Sequence, residues 1–369
     1  MDFNQSDFQR MLLESAERYI ADRFTLEHRR ASRSKLTGLD EEAWANFAQL
    51  GWLALAIPEQ LGGLGGAPAD VAVLCAALGN KCVTQPFIST AVLGVYLLAN
   101  AQPAREAELA ELAAGAVRLA LAHCEPGERY PELGGRTSKL SVVGDGYSLS
   151  GDKMMVLDAP SATHLIVSAS LPGGEPALIL VCSDQQGIVI DSYPLLDDSR
   201  AADISFTEVK VDSSAILASG ANASRVLAQA LELAMVAGYA QAVGSMEEVL
   251  RICSYYLKER QQFGQPIGKF QSLQHIMADM FVAAHQSRSA LYQALANLEA
   301  DAPDRERAVS LAGLTIGEAG QVVSRQGVQL HGGYGVTDEY EVSHHYRYQL
   351  VLEKRYADLD LHALRVSGG

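Results

Sequence analysis

A chain of 369 residues is too long for one ordinary compact domain, so two or three packed units are expected. Hydrophobic residues make up 48% of it and charged ones 20%, an ordinary globular balance that leaves ample material for a large core. With 29 basic and 44 acidic residues the net charge is −15, which repels phosphate backbones and anionic lipid and argues against nucleic-acid or membrane-surface binding.

In chain order, the first stretch, MDFNQSDFQRMLLESAERYI, mixes charges of both signs without a long apolar run, so no signal peptide is expected. From Asp7 to about Ala122 the pattern is helical. Leu12, Leu13, Ala16, Tyr19 and Ile20 recur at three- and four-residue spacing, one apolar stripe of a helix. Leu50 to Ile57 continues that reading until Pro58, after which LGGLGG must be loop. Helix resumes over Asp70 to Leu78, Ser89 to Ala99 and Glu106 to Ala114.

The character changes near Arg118. Short runs rich in Val, Ile, Leu and Ser follow to about Val211: LALAHC, LSVVGDGYSLSG, HLIVSAS, ALILVC, GIVIDSY and ADISFTEVKV. Gly, Pro and Asp clusters separate them, which predicts a small antiparallel barrel or sandwich, with Gly144-Asp145-Gly146 as a hairpin turn. After Asp212 the pattern is helical again. Leu227 to Tyr256, Gln271 to Ala300 and Arg307 to Leu330 are long and uninterrupted, and Asp301, Ala302 and Pro303 break the last two apart. Leu233 to Met246 is too short to span a membrane and contains Gln241, so it reads as a buried core helix. Long helices joined by short loops predict a four-helix bundle. The expected class is α+β multi-domain, mainly α: an N-terminal helical domain over 1–118, a middle β domain over 119–212, and a C-terminal helical bundle over 213–369.

Five cysteines, Cys75, Cys82, Cys124, Cys182 and Cys253, are odd in number and form no C-x-x-C pair. Neither a metal site nor a disulfide framework is expected, and a reducing, cytoplasmic setting fits.

Four segments give the order helices, strands, helices a specific meaning. LGWLALAIPEQLGGLGG (Leu50 to Gly66) closely resembles the N-terminal signature of the acyl-CoA dehydrogenase family. Glu125-Pro126-Gly127 with GYSLSGDKMMV resembles the family's flavin-binding middle stretch, RQQFGQPIGKFQSLQH (Arg260 to His275) its R-x-x-F-G-x-P-I-x-x-F-Q, and QLHGGYGVTDEY (Gln329 to Tyr340) its Q-x-x-G-G-x-G. The match spans nearly the whole chain, in order. The resemblance implies the acyl-CoA dehydrogenase fold with a middle β-barrel, FAD as cofactor, an acyl-CoA substrate, and an electron-transfer flavoprotein as acceptor.

FAD carries a pyrophosphate and an adenosine, which need a cation, hydrogen-bond donors and closely approachable backbone. Arg260 can give a charge-assisted fork to phosphate oxygens, and Phe263 can offer its ring to the adenine. Gly332, Gly333 and Gly335 leave main-chain N–H groups accessible, while Gln271 and Gln329 hydrogen-bond without adding charge. The alternatives are a surface arginine, a core phenylalanine and glycines serving a tight turn. The resemblance tips the reading to cofactor binding, and implies that these groups serve the flavin of a neighbouring subunit.

The family's reaction removes an α-proton with a carboxylate while the β-hydrogen leaves as hydride to the flavin. Here the sequence departs from the pattern. Counting forward from Gly332, the usual base falls on Tyr356, whose phenol is a poor base near neutral pH. Asp358 is the nearest candidate, with Asp360 beyond it. Counting back from Arg260, the second usual location falls on Ala234, and Glu232 two residues away is rotated by roughly 200°. In the middle stretch the family's Trp-Ile-Thr reads Met155-Val156-Leu157, and its Gly/Ser run reads Glu128-Arg129-Tyr130.

One explanation covers these losses. Some bacterial members acting on steroid side-chain CoA thioesters are α2β2 heterotetramers with one flavin per unlike pair, and the DEYEVSHHYRY and VLDAPSA segments resemble that subgroup. The expectation is therefore a base-lacking subunit that donates the adenosine and pyrophosphate site to a second acyl-CoA dehydrogenase-like chain. The competing readings are a self-sufficient homotetramer with Asp358 as base, and a binding protein on the same fold without redox function.

Overall fold

The computed structural model describes residues 5–33, 35–130 and 136–368. Its first part runs α1 (Asp7–Arg23), α2 (Leu26–Ser32), α3 (Glu41–Gln49), α4 (Pro68–Asn80), a π-helical turn (Ile88–Gly94) leading into α5 (Val95–Ala99), and α6 (Glu106–Ala113). Eight strands follow: β1 (Leu119–Ala122), β2 (Lys139–Val143), β3 (Gly146–Leu157), β4 (His164–Ser170), β5 (Pro176–Cys182), β6 (Ile188–Pro194), β7 (Arg200–Val211) and β8 (Ile216–Ser219). The last part holds α7 (Gly220–Glu259), the short β9 (Gln261–Gln262) and β10 (Gln265–Pro266), α8 (Gln271–Ala296), α9 (Ala302–His331), α10 (Glu341–Leu352) and α11 (Leu359–Ser367).

Local chemistry sets many of these boundaries. Ser6 caps α1 in a reciprocal capping box with Gln9. The Asp40 carboxylate accepts from the Ala43 N–H at the head of α3, with Glu41 and Glu42 in the first turn where the helix dipole favours anions. Proline sits in the first turn of both α4 and α9, where its missing N–H costs nothing. Two expectations fail. Residues 50–57 form consecutive tight turns instead of helix, because Ala54, Leu55 and Ile57 offer their carbonyls to Leu64, Gly66 and Gly65 of the glycine loop. The stretch after Asp212 first makes β8, paired with β5, before α7 begins.

The chain divides into two compact units, residues 1–31, 68–83 and 235–369 in one, and 32–67 and 84–234 in the other. The second unit contains the sheet, with strand order β6-β7-β3-β2-β4-β5-β8 and β1 on β4. Most of its ladders are antiparallel, as the spacing predicts; β1 and β2 meet β4 in parallel. Val143 pairs with Gly146, so Gly144-Asp145 is the expected hairpin turn. Its core is built from alternate residues of these strands, among them Leu149, Leu165, Val167, Ile179, Ile204 and Phe206.

In the first unit α8 and α9 pack along one another, and α10 and α11 pack on α9. Buried Tyr348 donates to the Val83 carbonyl, and Gln349 donates to the Ala242 carbonyl. Among the described residues α7 alone is long and apolar enough to cross a membrane, yet 72% of its most apolar stretch lies buried within the protein. It reads as a core helix.

Candidate dinucleotide-binding site

At the end of α7 the Arg260 N–H still donates to the Tyr256 carbonyl, 2.9 Å away. The backbone then turns through the β9–β10 hairpin, Gln262 opposite Gln265 and Gln261 opposite Pro266. Both turn residues are left-handed, Phe263 at φ 54° and Gly264 at φ 78°, as a two-residue hairpin of the primed type requires. Glycine adopts this freely. Phenylalanine does not, at a cost of about 1 kcal/mol. Phe263 is nevertheless 90% exposed, its ring set edge-on to that of Phe270 at 6.1 Å between centroids. A strained residue that holds a bare ring in water does nothing for this chain's own stability; it suits an outside surface.

Ile267 donates back to the Arg260 carbonyl at 2.8 Å, closing the loop before α8. Among the described residues no side chain caps α8. Leu273 and Gln274 donate to the Phe270 carbonyl at 3.0 and 3.2 Å, which leaves the Gln271 and Ser272 N–H groups at the positive end of the helix dipole, beside the exposed Gln271 side chain. At the far end of α9, Gln329 is exposed and Gly332, at φ 58°, ends the helix by donating to the Gln329 carbonyl. A methyl group added at Gly332 or Gly333 would meet nothing within 4 Å. Gly333 lacks even a left-handed φ, so neither its own backbone nor its own packing asks for glycine there. Gly335 differs: a methyl there would lie 2.6 Å from the Val328 carbonyl, an internal reason for glycine.

A row of tilted aromatic rings joins the two motifs. Tyr256, one turn before Arg260, lies 4.2 Å from the His331 ring, which lies 4.8 Å from Tyr340, itself 4.5 Å from Tyr334. His331 Nδ1 is 2.7 Å from the Gly327 carbonyl and so carries the proton. Burial lowers the pKa of this imidazole, and its Nε2 is a buried acceptor with no partner among the described residues. This row of rings packs the end of α7 against the end of α9.

Arg260, Gln271 and Gln329 make no side-chain hydrogen bond or ion pair with any described residue, and Gly332 and Gly333 are exposed beside open space. A free guanidinium, two free amides, a presented ring and approachable backbone fit the phosphate and adenosine of a dinucleotide. They compose one face of the first unit.

The residues considered for proton abstraction are placed otherwise. Asp358 caps α11, its carboxylate accepting from the Leu361 N–H at 2.9 Å. Tyr356, in the counted position, is half-buried, and Ala234 is buried. Glu232 is a buried carboxylate on α7.

The second unit holds the Glu125 and Met155 segments. The Met155 N–H donates to Asp203, 2.9 Å away, at a bulge in the β3–β7 ladder; its φ is 51° and its side chain is half exposed. Glu125 is buried and saturated. Its carboxylate accepts from the Thr137 N–H and hydroxyl (both 2.7 Å), the Ser138 N–H (2.9 Å) and Lys153 Nζ (2.8 Å). Burial alone raises such a carboxyl's pKa, but these donors outweigh it and hold Glu125 well below the usual range. Lys153 is pulled down to about 8 by burial against the opposing pull of Glu125. Glu128 folds back to accept from the Glu125 N–H at 2.9 Å and from Arg136 at 2.7 Å. Every charge of this quartet is answered within the chain, an arrangement the linear sequence does not announce because its partners lie up to 28 residues apart.

Fold and site together define a flavoenzyme: the chain belongs to the acyl-CoA dehydrogenase family, FAD-dependent oxidoreductases. It matches the family's N-terminal domain over residues 6–116 and its C-terminal domain over 224–353. Among individual relatives, the acyl-CoA dehydrogenase IpdE2 of Mycobacterium tuberculosis is 28% identical over 340 residues, covering 90% of this chain and 88% of that protein. A Tcur3481–Tcur3483 steroid ACAD variant superimposes with a TM-score of 0.87 at 28% identity, covering 98% of this chain and 96% of that one. The ChsE4–ChsE5 complex from Mycobacterium tuberculosis does so with a TM-score of 0.89 at 25% identity, covering 100% and 98%.

Proposed function

We propose that this chain is the base-lacking subunit of a heteromeric acyl-CoA dehydrogenase, lending its dinucleotide face to a flavin whose ring and catalytic carboxylate are held by a second, related chain. The observation that carries this reading is an asymmetry. Arg260, Phe263, Gln271, Gln329, Gly332 and Gly333 stand exposed, with the Arg260, Gln271 and Gln329 side chains unpaired among the described residues, whereas a tyrosine and an alanine occupy the two positions where the family keeps its base. Bound FAD supplies the hydride acceptor for α,β-dehydrogenation of the thioester. This chain's part is to hold the other end of the cofactor. Arg260 would fork onto the pyrophosphate, the Gln271 and Ser272 N–H groups at the head of α8 would offer donors, the Gly332–Gly333 backbone would let the cofactor approach closely, Phe263 would cover the adenine, and the two glutamine amides would bond the adenosine.

Two of the superimposable structures are a steroid ACAD and a two-component complex, which supports a heteromeric assembly and a steroid-type substrate; the assembly we propose is an α2β2 heterotetramer acting on a steroid side-chain CoA thioester in the cytoplasm. An electron-transfer flavoprotein is the proposed acceptor. Asp358 remains the candidate base of the alternative, a homotetramer, although its carboxylate is engaged in capping α11. Expression alone and with the partner chain separates the two. The heteromer predicts a colourless, inactive chain alone, a yellow and active complex, and unchanged complex activity in Asp358→Asn. Acyl-CoA-dependent bleaching of flavin in the chain alone, abolished by Asp358→Asn, overturns it.

A further inference from the structure

The glycine turn that carries Gly332 and Gly333 continues to Val336 and is tied down at both ends. At its start the Gly332 N–H closes α9, and Gly335 lies hard against the Val328 carbonyl. Its exit is held by a cluster of Asp338, His344 and Arg347 with Arg29 and Arg30. The Asp338 carboxylate accepts from Arg347 at 3.0 Å and lies 3.3 Å from Arg30, which also reaches Glu339 at 3.5 Å. The Asp338 carbonyl lies 3.0 Å from His344 Nε2, and His344 Nδ1 lies 3.2 Å from both Arg29 Nε and Arg347 Nη2.

These contacts fix the tautomer. A carbonyl only accepts, so Nε2 carries the proton and donates to Asp338. A guanidinium only donates, so Nδ1 must present its lone pair to Arg29 and Arg347. A second proton would face two cations, so His344 is locked neutral, and with only 2% of its side chain exposed it acts as a rigid two-ended link. One end grips the loop five residues after Gly333; the other grips α2 through Arg29 and α10 through Arg347. Arginine or lysine at position 344 could not accept at the second end.

We propose that His344 and Asp338 are positioning residues that hold the Gly332–Gly333 turn in the shape the adenosine diphosphate end of FAD requires. The inference rests on the shared-flavin reading and specifies which of this chain's own groups set the affinity of its half. Neither residue touches the cofactor; they act through the course of the loop.

The test uses the two-chain complex stripped of flavin and titrated calorimetrically with FAD and with ADP, which carries the adenosine and pyrophosphate but no flavin ring. His344→Ala is expected to weaken FAD and ADP by the same factor, about tenfold, the scale on which outer hydrogen-bond partners tune a site. His344→Gln, whose amide can still donate to the Asp338 carbonyl, is expected to recover most of that loss. Should His344→Ala not assemble, Asp338→Asn, which keeps the carbonyl but releases Arg347 and Arg30, is expected to show the same parallel loss. Unchanged ADP affinity in these variants, or FAD weakened while ADP is not, overturns the proposal. A wild-type complex that takes up FAD but shows no ADP affinity at this chain counts against the shared site itself, a result distinct from a clamp that fails in a complex that binds both.

Discussion

Two polar regions of this molecule are built on opposite plans. In the first unit, the side chains of Arg260, Gln271 and Gln329 are exposed and leave their hydrogen-bonding capacity unspent among the described residues, beside exposed Gly332 and Gly333. In the second unit, Glu125, Lys153, Arg136 and Glu128 are drawn inward and spend theirs on one another. An unspent surface costs little to keep because water satisfies it, and it is available to a ligand. A buried cluster whose charges are paired with one another is not available to a ligand, but its loss is felt throughout the core. Mutation is therefore expected to cost binding but not stability in one region, and stability but not binding in the other.

The largest effect is expected where the buried pair is cut. Lys153→Met leaves the Glu125 carboxylate without its cation, and unfolding in urea should show a loss of about 3–5 kcal/mol. A loss below 1 kcal/mol breaks the comparison by showing that water reaches the cluster.

Next comes acid. Burial lowers the pKa of His345 to about 3 and those of His344 and His362 to about 4, from an ordinary value of 6.5. The unfolded chain takes up these protons first, so their stabilisation is complete above pH 6.5 and drains away as pH falls toward 4 and 3. Glu248, held near 2 by Arg251 and Lys81 against the opposing effect of burial, adds a further loss below the ordinary carboxylate range. Thermal unfolding scanned from pH 7 to 4 should show a steadily falling midpoint, and a flat profile contradicts the buried neutral histidines.

The exposed face should respond in the reverse sense. Arg260→Ala should leave the melting temperature nearly unchanged while weakening FAD in the complex by about 1.5–3 kcal/mol, the worth of a charge-assisted hydrogen bond. Phe263→Asn sharpens the point, because asparagine accepts the left-handed turn. The variant should be more stable by about 1 kcal/mol and bind flavin less well. Parallel changes in stability and binding speak against the division between the regions.

The smallest effect concerns Asp358. Removal of its cap in Asp358→Ala should cost about 1 kcal/mol, while Asp358→Asn, a comparable cap, should cost almost nothing.

Much of this was legible in the sequence because it is local. Short runs rich in Val, Ile, Leu and Ser between turn residues, HLIVSAS and ALILVC, give β4 and β5, apolar periodicity gives the long helices, and the two C-terminal motifs name the exposed face. Other features are not local. Residues 50–57 lose their helix to carbonyl bonds with the glycine loop, and β8 forms only because β5 offers it an edge. Lys153 reads as a surface lysine until Glu125 is folded over it. The His344 clamp joins residues 315 positions apart, and the doubled histidine in SHHYRY is its only trace in the linear chain.

The flavin content of the purified assembly bears most directly on the division of labour between subunits. With this chain and its partner in equal amounts, FAD released by denaturation and measured against total protein should come to about one molecule for every two chains. One FAD per chain, in an assembly containing this polypeptide alone, would contradict it.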